Sequence, residues 1–146
     1  MADTTKKTNT SAFNAEERAA MKEHAAEVRR SQKSTPEEDR QAVLDKIAAM
    51  AAPDRALAER IHAIVTEVAP ELAPRLWYGM PAYYRDGKNV VFFQDAAKFK
   101  ARYATLGFND AARLDEGSFW PTAYALTYEL TSADEKRIAE LIRKAA

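Results

Sequence analysis

The chain has 146 residues, no cysteine and a formal net charge of zero, because 22 Lys and Arg residues balance 22 Asp and Glu residues. A chain of this length forms one domain with a sizeable core, and the missing cysteines exclude disulfides and thiolate metal ligands. The balanced charge argues against general affinity for nucleic acid or for an anionic membrane. The apolar runs are too short to span a bilayer, and the N-terminus lacks the apolar segment of a secretory signal, so we expect a cytoplasmic protein.

The first part of the chain, residues 1–34, is predicted to lie outside the main domain. Residues 1–12 are polar and aperiodic, which predicts disorder. Asn14, followed three residues later by Glu17, is typical of a helix start with an N-cap. The helix that follows, to about Arg30, carries only two sizeable apolar residues. We therefore expect a loosely attached helix, with contact to a second subunit as the alternative.

The main domain, residues 35–146, opens with two predicted helices. Thr35 as N-cap and Pro36 at the first helical position mark the start of the first helix. Pro53 ends that helix and opens a second one, which Pro70 stops, so the two form a helical hairpin. The apolar residues on the predicted buried faces are Val43, Leu44, Ile47 and Ala51 in the first helix and Leu57, Ile61, Ile64, Val65 and Val68 in the second.

A predicted sheet follows the two helices. Thirteen of the fourteen aromatic residues lie between Trp77 and Tyr128, and aromatic enrichment with short Gly and Pro punctuation favours antiparallel strands. A short strand is expected at 76–78, and Gly79-Met80-Pro81 breaks or bulges it. A hairpin turn is expected at Asp86-Gly87, and two further strands at 100–108 and 123–130. A final helix, capped by Thr131 or Ser132, ends the chain. The fold class is α+β, with helices packed on one face of an antiparallel sheet of four to five strands.

The register of the hairpin decides which aromatic residues face the helices. A two-residue type I′ turn at Asp86-Gly87 places Tyr83 opposite Val90 and Tyr84 opposite Asn89. The apolar residues then divide into Tyr83, Val90 and Phe92 on one face and Tyr84, Val91 and Phe93 on the other. Both faces are therefore partly apolar. We expect the N-terminal helix or the loop at 119–121 to cover the second face, with a binding surface or dimer contact as the alternative.

A group of cations follows the hairpin. Lys98, Lys100 and Arg102 recur with a period of two, so on an extended strand they project from one face, with Phe99 and Tyr103 between them. Such a stripe suits a phosphate, a carboxylate or a short nucleic-acid segment. Protection of a sheet edge by lysines is the favoured alternative, because the neutral net charge gives no wider basic surface.

The chemistry of the side chains indicates a binding module more than an enzyme. The sequence contains no phosphate loop or catalytic triad, and His62 is interpreted as an ordinary residue at the edge of its helical stripe. For a small organic anion or a protein partner, the candidate walls are Trp77, Tyr83 and Trp120, with the three cations supplying the charge. The acidic residues Glu37, Glu38 and Asp39 lie in the opening turn of a helix, where the helix dipole favours negative charge.

One segment carries a resemblance to a known family. Trp77-Tyr-Gly-Met-Pro-Ala-Tyr83, followed by Asp86-Gly-Lys88 and Val91-Phe-Phe93, resembles the signature of the YdhG-like family of small bacterial domains. The resemblance covers roughly residues 43–146. It implies a compact α+β sandwich akin to frataxin.

The resemblance also implies a function. Most of the family has no assigned activity, but one branch is described as a frataxin-like intracellular iron chaperone that feeds iron–sulfur cluster and haem assembly. On this hypothesis iron is the cargo and assembly proteins are the partners, and a homodimer is left open. The metal ligands would be the acidic residues at the helix start, Glu37, Glu38 and Asp39.

Overall fold

A computed structural model describes residues 14–31 and 33–146 of the chain, so the predicted disorder over 1–12 lies outside the described residues. The helices are α1 (Ala15–Ser31), α2 (Pro36–Ala48), α3 (Ala52–Val68) and α4 (Ser132–Ala145). The strands are β1 (Ala73–Trp77), β2 (Met80–Arg85), β3 (Lys88–Gln94), β4 (Ala104–Phe108) and β5 (Ala123–Leu126). They form one antiparallel sheet in the order β1-β2-β3-β4-β5, which confirms the α+β class.

The core lies between one face of the sheet, here called the inner face, and helices α2, α3 and α4. Its buried members include Val43, Ile47, Leu57, Ile61, Val65, Ile138 and Ile142 from the helices and Tyr83, Val91, Phe93 and Leu106 from the strands. The predicted stripe of α3 is confirmed, since Ile64 and Val68 pack against this cluster as well. In the first helix the prediction is wrong for Leu44, which is 36% exposed beside the buried face, and for Ala51, which is exposed and lies beyond the end of α2.

The predicted helix starts are confirmed by their capping contacts. Thr35 Oγ1 accepts a hydrogen bond from the backbone N–H of Glu38 at 3.2 Å. Thr131 and Asp134 form a complete capping box at the start of α4, in which each side chain accepts from the other residue's backbone N–H. Asn14 and Glu17 make the same reciprocal pair of contacts at the start of α1. All three helices thus begin where their capping residues predict.

Two tight turns join the first three strands. Asp86 and Gly87 have φ values of 51° and 75°, which confirms the predicted type I′ turn. Tyr78 and Gly79 have φ values of 51° and 74° and form a second turn of this type, between β1 and β2. The predicted break at Gly79-Met80-Pro81 is therefore confined to Tyr78-Gly79, while Met80 and Pro81 belong to β2.

A β-bulge corrects the predicted hairpin register. Tyr84 pairs with Asn89 as expected, but the register shifts between Tyr83 and Tyr84, so Tyr83 lies opposite Val91 rather than Val90. The extra residue in β3 is Val90, whose carbonyl accepts a hydrogen bond from Asn109 N–H. The predicted division of faces is consequently wrong. Tyr83, Val91 and Phe93 share the inner face, and Phe92 lies on the opposite, outer face.

Two predicted strands are shorter than expected. The strand expected from Lys100 begins at Ala104, because residues Ala97–Phe99 form a 3-10 turn and Lys100 adopts a left-handed conformation. The strand expected to reach Leu130 ends at Leu126. Beyond it the hydroxyl of Tyr128 lies 3.4 Å from the carboxylate of Asp54 in α3, so this segment turns toward the helices.

Candidate carboxylate-binding cradle

The turn at Tyr78-Gly79 places a backbone donor beside two lysines. The N–H of Gly79, the ammonium group of Lys98 and the ammonium group of Lys46 on α2 all approach carboxylates of α1, and we call these three groups the cradle. The Lys98 ammonium also donates to the carbonyl of Tyr78 at 2.8 Å, which joins it to the turn. The cradle therefore combines one neutral donor with two positive charges.

Buried carboxylates fix the segment that carries Lys98. Asp54 in α3 is 1% exposed, and its two carboxylate oxygens each accept a backbone N–H, from Ala96 and Ala97, at 3.1 Å. Asp95 accepts the backbone N–H of Lys98 at 3.2 Å, and burial raises the pKa of the Asp95 carboxyl. These contacts hold a short 3-10 turn in place, so the ammonium of Lys98 reaches the cradle from a fixed backbone.

Two glutamates of α1 occupy the cradle. Glu27 accepts the N–H of Gly79 at 2.5 Å, and Glu23 accepts from the Lys98 ammonium at 2.9 Å. The other oxygen of Glu23 lies 3.6 Å from the Lys46 ammonium. Glu23 and Glu27 are one helical turn apart, so the cradle receives a pair of carboxylates spaced as on one face of a helix.

Gly79 lies at the floor of the cradle, where a Cβ atom would displace the charged side chains around it. A Cβ atom on Gly79 would lie 1.8 Å from the Glu23 carboxylate and 2.4 Å from the Lys98 ammonium. The positive φ of Gly79 independently disfavours other residues. Beside it the rings of Tyr78 and His24 stack with centroids 3.8 Å apart. The turn thus allows close approach of a carboxylate to the backbone and offers an aromatic wall next to it.

The contact between α1 and the cradle leaves empty space and leaves two polar atoms of α1 without a hydrogen bond. The second carboxylate oxygen of Glu27 and Nδ1 of His24 are buried and form no hydrogen bond with any described residue, although the two atoms lie 3.7 Å apart. Two clefts adjoin the Glu23–Lys46 contact, with volumes of about 410 and about 350 Å³. The contact between α1 and the sheet therefore leaves space beside its charged groups.

The structure places the three predicted cations separately. Lys98 lies in the cradle, whereas Lys100 is 80% exposed at its side chain and pairs with Glu16 at 2.7 Å. The contact with Lys100 lowers the pKa of the Glu16 carboxyl. Arg102 lies over the ring of Tyr103 at 5.1 Å. The predicted period-two stripe is wrong, because the 3-10 turn and the left-handed Lys100 replace the extended strand on which it depended.

The predicted aromatic residues do not form one wall. Tyr83 is 1% exposed on the inner face, whereas Trp77 lies on the outer face with its ring centroid 4.9 Å from that of Phe92. Trp120 is half-buried against the core. On the outer face the Phe92 ring lies across Gly107, where a Cβ atom would be 2.1 Å from it. Trp77 alone adjoins the cradle, through an edge-to-face contact with Tyr78 at 5.1 Å.

The predicted metal ligands lie at the start of α2. Asp39 accepts a hydrogen bond from the Ser34 hydroxyl at 2.7 Å, and Glu37 and Glu38 are exposed. Glu38 and Asp39 share a small cleft with buried Glu27 and with Arg75, a neighbour that brings positive charge. Across residues 14–31 and 33–146, no three His, Asp or Glu side chains are grouped in a way that holds a metal ion.

Sequence reasoning missed both the turn donor and the two glutamates. Two signals were present in the sequence. The dipeptide Tyr78-Gly79 before a strand is compatible with a turn that has two positive φ values. The four-residue spacing of Glu23 and Glu27 places both on one face of a helix. Neither signal indicates that the two segments meet, since they are about fifty residues apart.

The comparisons with known proteins leave the family open. Searches against protein-family models, curated proteins and solved structures found no match. The YdhG-like resemblance therefore stays a prediction from the residues quoted above. A separate observation concerns membranes: in the part of the chain that the structure describes, no helix has the length and apolar character needed to cross one.

Proposed function

We propose that this chain is a non-enzymatic binding module that takes up an acidic helical segment of a partner protein in the cradle, in competition with its own α1. The observation that carries the proposal is the pair of carboxylates, Glu23 and Glu27, held by the Gly79 N–H and by Lys98 and Lys46. A partner helix with two Glu residues four positions apart presents the same pair of charges. Charge-assisted hydrogen bonds to a fixed backbone donor favour this chemistry.

The weak apolar attachment of α1 supports exchange with an outside segment. Ala20 is the one apolar residue of α1 that is buried among the described residues, whereas Met21 and Val28 are 46% and 45% exposed. Partly exposed ion pairs contribute only about 0–1 kcal/mol each in water. Loose attachment of α1, expected from the sequence, stays a prediction, and exchange with a partner depends on it.

Of the two lysines in the cradle, Lys98 is better placed to select a carboxylate. Its side chain is 15% exposed, so its charge is shielded from solvent more than that of Lys46, which is 34% exposed. Without a carboxylate beside it, the ammonium group of Lys98 would have no negative charge to compensate for its lost hydration. The cradle is therefore expected to prefer an acidic helix over a neutral one of equal length.

Calorimetric titration with helical peptides tests the proposal. The probe is an alanine-based helix with one Glu-x-x-x-Glu pair, and the control peptide has Gln at both positions. The full chain carrying Glu23→Ala and Glu27→Ala, in which the internal competitor is weakened, should bind the acidic peptide at least about tenfold more tightly than the unsubstituted chain, a difference of about 1.4 kcal/mol. Adding Lys98→Met should remove the gain.

Matched controls separate the cradle from general electrostatics. Lys88→Met, at an exposed position in β3, removes the same charge and should leave peptide binding unchanged. Equal binding of the acidic and neutral peptides, or equal binding by the unsubstituted and doubly substituted chains, would contradict the proposal.

Iron delivery, which the family resemblance implies, stays a prediction with its own measurement. The test is thermal unfolding with ferrous iron in the absence of oxygen. A ligand present at 100 times its dissociation constant adds about 2.7 kcal/mol to stability. Stabilisation by iron that is lost in the variants Glu37→Gln, Glu38→Gln and Asp39→Asn would favour the iron hypothesis. A response that these variants leave unchanged would count against those three ligands.

A further inference from the structure

A separate cleft lies away from the cradle, between helices α2 and α3 and the start of the sheet. Its volume is about 260 Å³, and residues of α1 and of the cradle take no part in its lining. Its apolar walls come from Val65, Pro70, Leu72 and Pro74. Arg40 of α2, Thr66 of α3 and Tyr83 of β2 complete the lining.

Tyr83, which lines this cleft, forms a polar pair with the half-buried His62. Tyr83 is 1% exposed, and its hydroxyl oxygen lies 2.9 Å from Nδ1 of His62. Burial raises the pKa of the Tyr83 phenol, so the hydroxyl keeps its proton and can donate a hydrogen bond to Nδ1 of the imidazole tautomer that is protonated at Nε2. Burial, and then the charge of Arg40, lower the pKa of His62, which is consistent with a neutral imidazole accepting at Nδ1. The pair is therefore neutral near pH 7.

Arg40 is the one cation that lines this cleft. Arg40 is exposed to solvent, and its guanidinium makes no hydrogen bond or ion pair with the residues that the structure describes. An unpaired guanidinium beside apolar walls suits a ligand with one negative charge and an apolar tail. A phosphate would need more donors than one guanidinium, and the lining supplies neither a lysine nor a second arginine.

We propose that this cleft binds a small monocarboxylate, with its carboxylate at Arg40 and its apolar tail between Val65, Leu72 and the two prolines. The guanidinium can donate two parallel hydrogen bonds to the carboxylate, and the tail displaces water from the apolar walls. The cleft is small, so the tail is short. This site is independent of the cradle, and neither proposal depends on the other.

The first measurement is binding of hexanoate to the full chain, followed by NMR. Hexanoate should bind more tightly than acetate, by about fourfold for each methylene that becomes buried. Hexanol, which has the tail without the charge, and inorganic phosphate, which has charge without a tail, should each bind at least about tenfold more weakly. Equal binding of hexanoate and hexanol would overturn the proposal, because the guanidinium would then contribute nothing.

The second measurement is Arg40→Gln, which removes the charge at an exposed position, with Arg143→Gln on α4 as the matched control. Arg40→Gln should weaken hexanoate about tenfold, whereas Arg143→Gln should leave it unchanged. A bound anion should also raise the pKa of His62, since it offsets the Arg40 cation; among the described residues, Tyr83 is the other titratable group that contacts His62. Hexanoate affinity unaffected by Arg40→Gln would overturn the proposal even if the ligand binds.

Discussion

Helices α1 and α4 are similar in length, and both begin with a reciprocal capping pair, but they are attached to the sheet in opposite ways. Helix α4 buries Ile138, Ile142 and Ala145 in the core. Among the described side chains of α1, Ala20 is the buried apolar one, and the helix contacts the rest of the chain through Glu23, Glu27 and the stacking of His24 on Tyr78. Burial of several aliphatic side chains contributes more stability than a few partly exposed polar contacts do. We therefore predict that α1, although well capped, is attached less firmly than α4, because capping and packing are separate sources of stability.

The largest expected difference between the two helices lies in their apolar residues. Ile142→Ala removes a fully buried side chain from α4 and should lower the free energy of unfolding by about 2–5 kcal/mol. Met21→Ala, on the exposed side of α1, should change it by less than about 0.5 kcal/mol. Urea denaturation followed by circular dichroism measures both. Losses of similar size would show that α1 belongs to the cooperative core after all.

A smaller effect is expected at two glycines that share a backbone conformation. Gly79 and Gly87 have nearly equal positive φ values, so replacing either one with Ala should cost about 1–2 kcal/mol from the backbone alone. A Cβ atom at Gly87 meets open space, whereas one at Gly79 overlaps the Glu23 carboxylate. Only Gly79→Ala should therefore release α1, and hydrogen exchange of the α1 amides measures the release.

The two outcomes at these glycines are easily distinguished. Faster exchange in α1 after Gly79→Ala, with the amides of β3 and β4 still protected, supports attachment of α1 through the turn. Equal exchange of α1 in both variants would show that Glu23 and Glu27 are not what holds the helix.

The capping residues provide a smaller and more direct comparison. Thr131→Ala removes the N-cap of α4 and should cost about 1 kcal/mol of global stability, because α4 is part of the core. Asn14→Ala removes the corresponding contact of α1 and should cost less than about 0.5 kcal/mol globally, since unfolding of α1 leaves the core intact. Urea denaturation gives both values, and helicity measured at low denaturant should fall in the Asn14 variant alone.

The same comparison explains what the sequence could predict. The buried faces of α2, α3 and α4 follow from a periodicity of apolar residues, which is set by local geometry and by the need to cover the sheet. The contact of α1 with the Tyr78-Gly79 turn has no such pattern, because it depends on a few polar groups that are distant in sequence. Periodicity therefore predicts the firm attachments and misses the polar one.

The bulge at Val90 and the 3-10 turn before β4 were missed for a related reason. A single extra residue in β3 moves Tyr83 from one partner to the next and changes which residues face the core. Likewise, Asp54 in α3 holds the backbone of Ala96 and Ala97, and this distant contact prevents the extended strand that the alternating cations suggest. Contacts between residues distant in sequence accompany both the bulge and the 3-10 turn. In the shifted register, Tyr83 lies against His62.

The smallest predicted effect concerns that Tyr83–His62 pair. Burial and the charge of Arg40 lower the pKa of His62 below its ordinary value of 6.5, so the unfolded chain binds the proton more readily than the folded one. This contribution to stability is present above pH 6.5 and is lost as the pH falls toward the lowered pKa. The urea midpoint should therefore drop less between pH 7.5 and pH 5.5 in His62→Gln than in the unsubstituted chain.

His24→Gln on α1 is the matched control, and it should leave this drop unchanged, because detachment of α1 does not unfold the core. If His62→Gln behaved like the control, the imidazole would not be coupled to the stability of the core.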